Sequence, residues 1–391
     1  MRFAVTGLGV LSPIGNGEEA FFAALASGRS GVTHDPPGAE SGFPFAARIG
    51  DFEPRRHIAP AAMRRMPRLS QLTVVAARQA LGQARAPYDP SRVGVVLGTG
   101  LGTLDETMSF VKGFVQDGPE AASPMTFPVS VMNAAAGQLA LECGLRGVNS
   151  TVNHRDHSSL SALSMACDLL ELGRADALLV GGVDELSLPV HHAYMKMGGV
   201  SRTGMRPYDL GRDGLVPGEA SALVLLEREA DARARSARIR AIVAGRGESG
   251  EARPRVGWGH AESWPEAARA VREAAGDAAQ IGWIAGSGNG TSLDERELET
   301  LAAGLGRRVP VSSILAQIGE SFSSSMLRVL AGIYALERQM IPGTSGLERA
   351  PAGWDADLVR QPRAARLDAV LVPSFAQGGA NLAVRLERPL S

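Results

Sequence analysis

The chain has 391 residues, 45% of them apolar and 21% charged, which is enough to bury a large core and too apolar for a disordered chain. Forty basic side chains against 41 acidic ones leave a formal charge of -1, so there is no broad electrostatic reason to bind nucleic acid or an anionic membrane. No apolar run approaches the roughly 20 residues of a membrane span, the opening MRFAVTGLGVLSPIG does not read as a signal peptide, and two cysteines, Cys143 and Cys167, exclude a disulfide scaffold and fit a cytoplasmic chain.

In chain order, buried-strand runs fall at Phe3–Val5, Val93–Leu97, Ala177–Val180, Ala222–Leu226, Ile239–Val243, Ile281–Ala285, Val309–Val311, Ala369–Val372 and Leu382–Leu386. Helical patterns lie between them at Ala76–Ala84, Leu160–Leu172, Pro265–Ala275 and Ser325–Arg338. Strands alternating with helices of this length predict α/β layers. Leu160, Leu163, Cys167 and Leu170 share one helical stripe, which makes Cys167 a small buried hydrophobe, and Gly173 stands where that helix should stop. The charged run Glu227–Arg240 predicts a solvated helix near mid-chain. After it, Ala241–Gly250 loosely echoes Phe3–Gly9, a strand running into glycines. Two similar halves are therefore expected, residues 1–235 and 236–391.

Three stretches are specific. MRPYDLGRDGLVPGEASALVLLE (Met205–Glu227) is close to the RPFD…RDGFV.GEGAG.LVLE run of β-ketoacyl-ACP synthases. GGVDE (Gly181–Glu185) resembles the GG.E turn before it, and PSFAQGGAN (Pro373–Asn381) resembles the family's NSFGFGGTN. Order and spacing hold from about residue 3 to residue 386. The resemblance implies a thiolase fold, a duplicated five-layer αβαβα architecture with two mixed five-stranded sheets that dimerises through its N-terminal half. It also implies that Gly147–Asn153 is a strand paired across the dimer interface, and that the Gly98–Gly102 loop packs at that interface.

The family's condensation needs a Cys thiolate to carry the acyl chain and two His to stabilise the enolate and oxyanion formed on decarboxylation. Aligned here, the Cys position holds Asp156, in Asn153-His154-Arg155-Asp156-His157-Ser158. The first His becomes Asn289, in Gly288-Asn289-Gly290-Thr291; the second becomes Glu320, in LAQIGE, where Leu315 also replaces a Lys. All three catalytic positions are degenerate. A carboxylate is a poor acyl acceptor, and no base to pair with Asp156 is evident, so Asp156 is expected to accept N–H bonds from the following helix, as an N-cap does. His154, Asp156 and His157 invite a metal reading, but side chains on a tight turn diverge, so no metal is expected.

The pattern is similar to that of the chain length factors of type II polyketide or polyene synthases, which lack the Cys and need neither His. Most carry Gln at the Cys position; Asp156 marks a departure. The resemblance implies a non-catalytic subunit that pairs with a catalytic ketosynthase as a heterodimer and shapes the tunnel for the growing polyketide or acyl chain. No resident cofactor is expected; phosphopantetheine arrives on an acyl carrier protein. By alignment the tunnel floor is Leu104, Thr107 and Val111, spaced i, i+3 and i+7 on one helical face, with Pro128 from the following loop. Phe110, Phe114 or Phe127 could close the tunnel instead. Two other readings stay open: a hydrolase or decarboxylase that has recruited Asp156, and an acyl-binding scaffold with no synthase partner.

Overall fold

The computed structural model describes residues 1–34, 44–251 and 264–390. Its principal strands are β1 (Phe3–Ser12), β2 (Val93–Gly98), β3 (Asn149–Val152), β4 (Ala177–Asp184), β5 (Ala220–Arg228), β6 (Ala241–Gly250), β7 (Ile281–Ala285), β8 (Pro310–Ser312), β9 (Ala369–Phe375) and β10 (Ala380–Glu387). The longer helices are α1 (Glu18–Ser27), α2 (Arg68–Ala84), α3 (Leu104–Asp117), α4 (Ala134–Cys143), α5 (Ser158–Glu171), α6 (Leu188–Met197), α7 (Pro265–Ala275), α8 (Leu293–Leu305) and α9 (Ser324–Arg338). Each predicted strand overlaps one of these strands, and the helical patterns at Ala76–Ala84, Leu160–Leu172, Pro265–Ala275 and Ser325–Arg338 each overlap one of these helices.

The strands run in the order β8-β7-β9-β10-β6-β1-β5-β4-β2-β3. β3, β2, β4, β5 and β1 form one mixed set, and β8, β7, β9, β10 and β6 repeat its order. In both, the outer three strands are parallel and the last two pairings antiparallel. The two sets join where Phe3–Val5 pairs antiparallel with Val243–Ala241. A two-residue strand, Asp357–Leu358, adds a sixth member beyond β8.

Layering follows from which faces are apolar. α2 and α4 cover one face of the first set, and α7 and α8 cover the outer face of the second. α5 and α9 fill the space between the sets. A helix sandwiched on both sides has no solvated stripe, and every residue of α9 from Ser324 to Leu336 is buried. On α5, Leu160, Leu163, Cys167 and Leu170 are fully buried, and Gly173 ends the segment with φ +65°. Burial pushes the Cys167 thiol up to about 12, so it packs as a hydrophobe and is not a nucleophile.

The charged run is not a solvated helix. Only Glu229–Ala234 is helical, and the run's ends are core ion-pair nodes. Glu227 is fully buried and accepts from Arg235 at 2.5 and 2.9 Å, from Tyr88 Oη at 2.6 Å and from the Thr6 hydroxyl. Arg240, 3% exposed, pairs with Glu18 and Glu337, each at 2.5 Å. Glu227 lies near the end of β5 and Arg240 immediately precedes β6, so both charges fall at the join of the two sets, where the surrounding layers cover them.

Candidate active site

The turn before α5 carries Asp156. Arg155 sits in the left-handed region at φ +52°, a conformation that is uncommon for a residue with a side chain and that closes a tight turn. Arg155–His157 form a single 3-10 turn that leads directly into α5. Ser158 pins it: Oγ accepts from His154 N at 3.0 Å and donates to Arg155 O at 2.7 Å. The expected cap is absent. The N-cap of α5 is His157, which makes no side-chain capping bond, and Asp156 Oδ2 instead accepts from the backbone N–H of Gln377 at 2.9 Å. The carboxylate is thereby tied to the PSFAQGGAN turn and not to its own helix. His154 turns the other way, with Nδ1 3.0 Å from Ser161 Oγ, so His154 and Asp156 diverge.

Asn289 and Glu320 converge with it. Asp156, Asn289, Leu315 and Glu320 line one cavity with Arg328, Ser374 and Gln377, its volume about 40 Å³. That is room for two or three waters and none for an acyl chain. Glu320 Oε2 accepts from Asn289 Nδ2 at 3.2 Å, and Oε1 accepts from Ser324 Oγ at 3.0 Å. The Asn289 loop is held from below. Asp294 accepts from the N–H groups of Asn289 (2.9 Å) and Tyr208 (2.7 Å), and Tyr208 Oη donates to Glu297 Oε2 at 2.7 Å. Tyr208 belongs to the RPYD motif, which thereby shapes the site without entering it.

Two features escaped the sequence reading. One is Arg328, 2% exposed, which donates to the carbonyls of Ala285 (3.1 Å) and Pro373 (2.5 Å) and whose Nε has no partner among the described residues. Its signal was available: a lone charge inside the apolar stretch Ser325–Leu336. The other is the electrostatic coupling of Glu320 to Asp156 across the cavity that they share. Burial first, and the Asp156 charge second, push the Glu320 carboxyl up to about 7, against Arg328 and the hydrogen bonds from Ser324 and Asn289. Near neutrality Glu320 is therefore only partly ionised, which tempers the charge it would set against an enolate. Asp294 is likewise pushed up to about 7, chiefly by burial.

The tunnel candidates lie elsewhere. Leu104 lines a second cavity with Tyr194, Phe322 and Glu320. Thr107, one turn along α3, donates through Oγ1 to the carbonyls of Thr103 (3.0 Å) and Ser130 (2.6 Å). Val111 is 46% exposed and Pro128 is exposed, so these two face solvent in the single chain. Phe110 and Phe127 pack with ring centroids 5.6 Å apart and tilted by 52°. The Gly98–Gly102 loop turns inward: a Cβ at Gly100 would fall 2.0 Å from the Phe322 ring, and Gly100 N donates to Asp184 Oδ1 at 2.8 Å.

A carboxyl whose folded pKa is raised from 4.5 to about 7 keeps a proton that the unfolded chain gives up, so it lowers stability as pH rises through that window. Glu320→Gln should flatten this part of the stability–pH curve and leave the variant more stable than the parent at pH 8, by on the order of 3 kcal/mol. Urea unfolding at pH 5 and pH 8 checks it. A parent and variant with parallel pH profiles would contradict the assignment.

Comparison with known proteins agrees with this geometry. Residues 1–232 match the family model for the Beta-ketoacyl synthase N-terminal domain. The 3-oxoacyl-[acyl-carrier-protein] synthase 2 of Vibrio harveyi is 30% identical over 405 residues, 97% of each chain. A putative polyketide beta-ketoacyl synthase 1 of Streptomyces cyaneus is 32% identical over 421 residues, covering 99% of this chain and 98% of that one. Among solved structures, the ishigamide ketosynthase/chain length factor superimposes with a TM-score of 0.91 at 26% identity, over 100% of this chain and 99% of the other. Matching motifs, a repeated five-strand order and a family model that matches residues 1–232 lead to one assignment: the chain belongs to the beta-ketoacyl synthase family.

Proposed function

We propose that this chain is a chain length factor, a subunit without condensing activity of its own that pairs with a catalytic ketosynthase in type II polyketide synthesis. One observation carries the reading. The three positions that would carry the condensation chemistry hold Asp156, Asn289 and Glu320, gathered around a cavity of about 40 Å³ that admits water only. None is a thiolate or an imidazole, and an acid pair opposes the enolate that the reaction must stabilise. In this reading the half formed by residues 1–235 carries the partner interface, and the half formed by residues 236–391 closes the degenerate site.

The surface supports a partner. Among the described residues β3 is an edge strand, paired on one side, to β2. Beside it α3 buries none of its residues, although Met108, Val111, Phe114 and Val115 are each at least 46% exposed. An unpaired edge next to an apolar helix face calls for a covering chain. A ketosynthase seated there would make β3 continuous with its own sheet and would turn the α3 surface into the wall of a shared tunnel. The acyl carrier protein would then deliver its phosphopantetheine arm to the partner's site.

A second reading has one observation in its favour, the Asp156–Glu320 pair, which resembles the proton-sharing dyads of acid hydrolases. Asp156→Ala in the complex separates the two. The proposal expects condensation within a few-fold of the parent. A loss above about a hundredfold, roughly 2.7 kcal/mol of barrier, with the complex intact, would give Asp156 a chemical role.

Leu104, Thr107, Val111 and Pro128 would form the floor of the shared tunnel. None is aromatic, and an apolar, open floor suits a long reduced chain better than a poly-β-ketone whose carbonyls need polar partners. Thr107→Trp or Val111→Trp should shorten the product by one or more two-carbon units, read by mass spectrometry of the released chain. Unchanged lengths from both variants, in complexes that still turn over, would place the gate elsewhere.

A further inference from the structure

Two aromatic rings stand where the degenerate site approaches the α3 face. Tyr194, on α6, and Phe322, two residues before α9, stack with centroids 6.2 Å apart and planes 22° apart. Both line the second cavity, together with Leu104 of α3 and Glu320. Glu320 also lines the first cavity, with Asp156. The two cavities therefore meet at Glu320, and the rings beside it decide whether they communicate. Tyr194 is close to both. Burial first, and then the charges of Asp156, Glu320 and Asp184, hold its hydroxyl well above the usual range. Asp156 belongs to the first cavity and Asp184 to the second.

The passage is closed. The second cavity has a volume of about 10 Å³, no more than the roughly 10–15 Å³ that a single water needs. The rings are held in place. Phe322 packs so tightly under the Gly98–Gly102 loop that a Cβ at Gly100 would fall 2.0 Å from its ring. Tyr194 is buried on α6 against the Phe322 face. The backbone of Glu320 is pinned too: its N–H donates to Val216 O at 2.8 Å, and its carbonyl accepts from Gly218 N at 2.8 Å. A space that barely admits one water cannot pass an alkyl chain. An acyl chain running along the α3 face must stop at these rings.

We infer that Tyr194 and Phe322 form the end wall of the shared tunnel on this chain's side and so set the maximum length of the product. The inference rests on the heterodimer reading. It places the stop on rings from α6 and from the segment before α9, behind an α3 floor that carries no aromatic at Leu104, Thr107 or Val111. It also makes the tunnel one-ended. No acyl chain can run from this chain's own Asp156 position into the tunnel, so every chain enters from the partner. Removing a ring should extend the space, because an engineered apolar cavity of about 150 Å³ stays dry and takes up apolar ligands. The extension is short, since the carboxyls of Glu320 and Asp156 lie beyond the rings.

The test is the length distribution of the released product, read by mass spectrometry, from the parent heterodimer and from complexes carrying Phe322→Ala, Tyr194→Ala or Tyr194→Phe. Either alanine variant should lengthen the product by one or two two-carbon units. Tyr194→Phe keeps the ring and should keep the parent lengths. Where truncation to Ala unfolds the chain, Phe322→Leu retains most of the packing and should still shift the distribution upward. A purely structural role for the rings would lower the melting temperature and leave the lengths unchanged. Parent lengths from Phe322→Leu and from the alanine variants that assemble, in complexes that turn over, would overturn the inference and leave the heterodimer standing. A parent chain that binds no ketosynthase would sink the underlying reading instead.

Discussion

The burial of α9 on all sides, with the apolar stripe of α5 packed between the same two strand sets, governs this molecule. α5 and α9 lie between the two strand sets, and their N-terminal turns meet where Ser159 Oγ and Ser325 Oγ hydrogen-bond at 2.6 Å. Gly182, at the end of β4, lies beneath them, and a Cβ there would fall 2.6 Å from Ser159 and 2.7 Å from Ser323. Neither helix can shift without opening the core. The segments leading into them, with Asp156 before α5 and Glu320 before α9, are therefore held at fixed positions whatever side chains they carry.

What fills those positions decides what the site can do. Helix N-termini favour anions, and both positions here hold carboxyls. They share one cavity with the buried Arg328, and the crowding shows in Glu320, which is held near 7. A site of this kind resists further negative charge, whether enolate or oxyanion. The bond from Gln377 N to Asp156 also draws the C-terminal turn onto the turn before α5, so the carboxylate is engaged in holding two segments together.

The sheets and central helices were legible in the sequence because both-face burial writes long apolar runs and because the motifs fall at their ends. The convergence of Asp156, Asn289 and Glu320 was legible through the motif alignment. The failures share a cause, which is partners remote in sequence. Asp156 reads locally as a helix cap, but its acceptor role is settled by Gln377, 221 residues away. Glu227 and Arg240 read locally as solvated charges, but Tyr88, Glu18 and Glu337 bury them. The acidic groups gathered around Glu185 beside α3, Asp105, Glu106 and Glu219, come from separate segments that no periodicity connects.

The central claim is that this chain completes a catalytic partner's dimer in place of a second catalytic copy. Native mass spectrometry tests it directly on the tagged chain, affinity-purified after co-expression with its ketosynthase. The account predicts a one-to-one heterodimer as the dominant species, with condensing activity that the chain lacks alone. A tagged chain that emerges as a soluble homodimer, with the ketosynthase left behind, would contradict it.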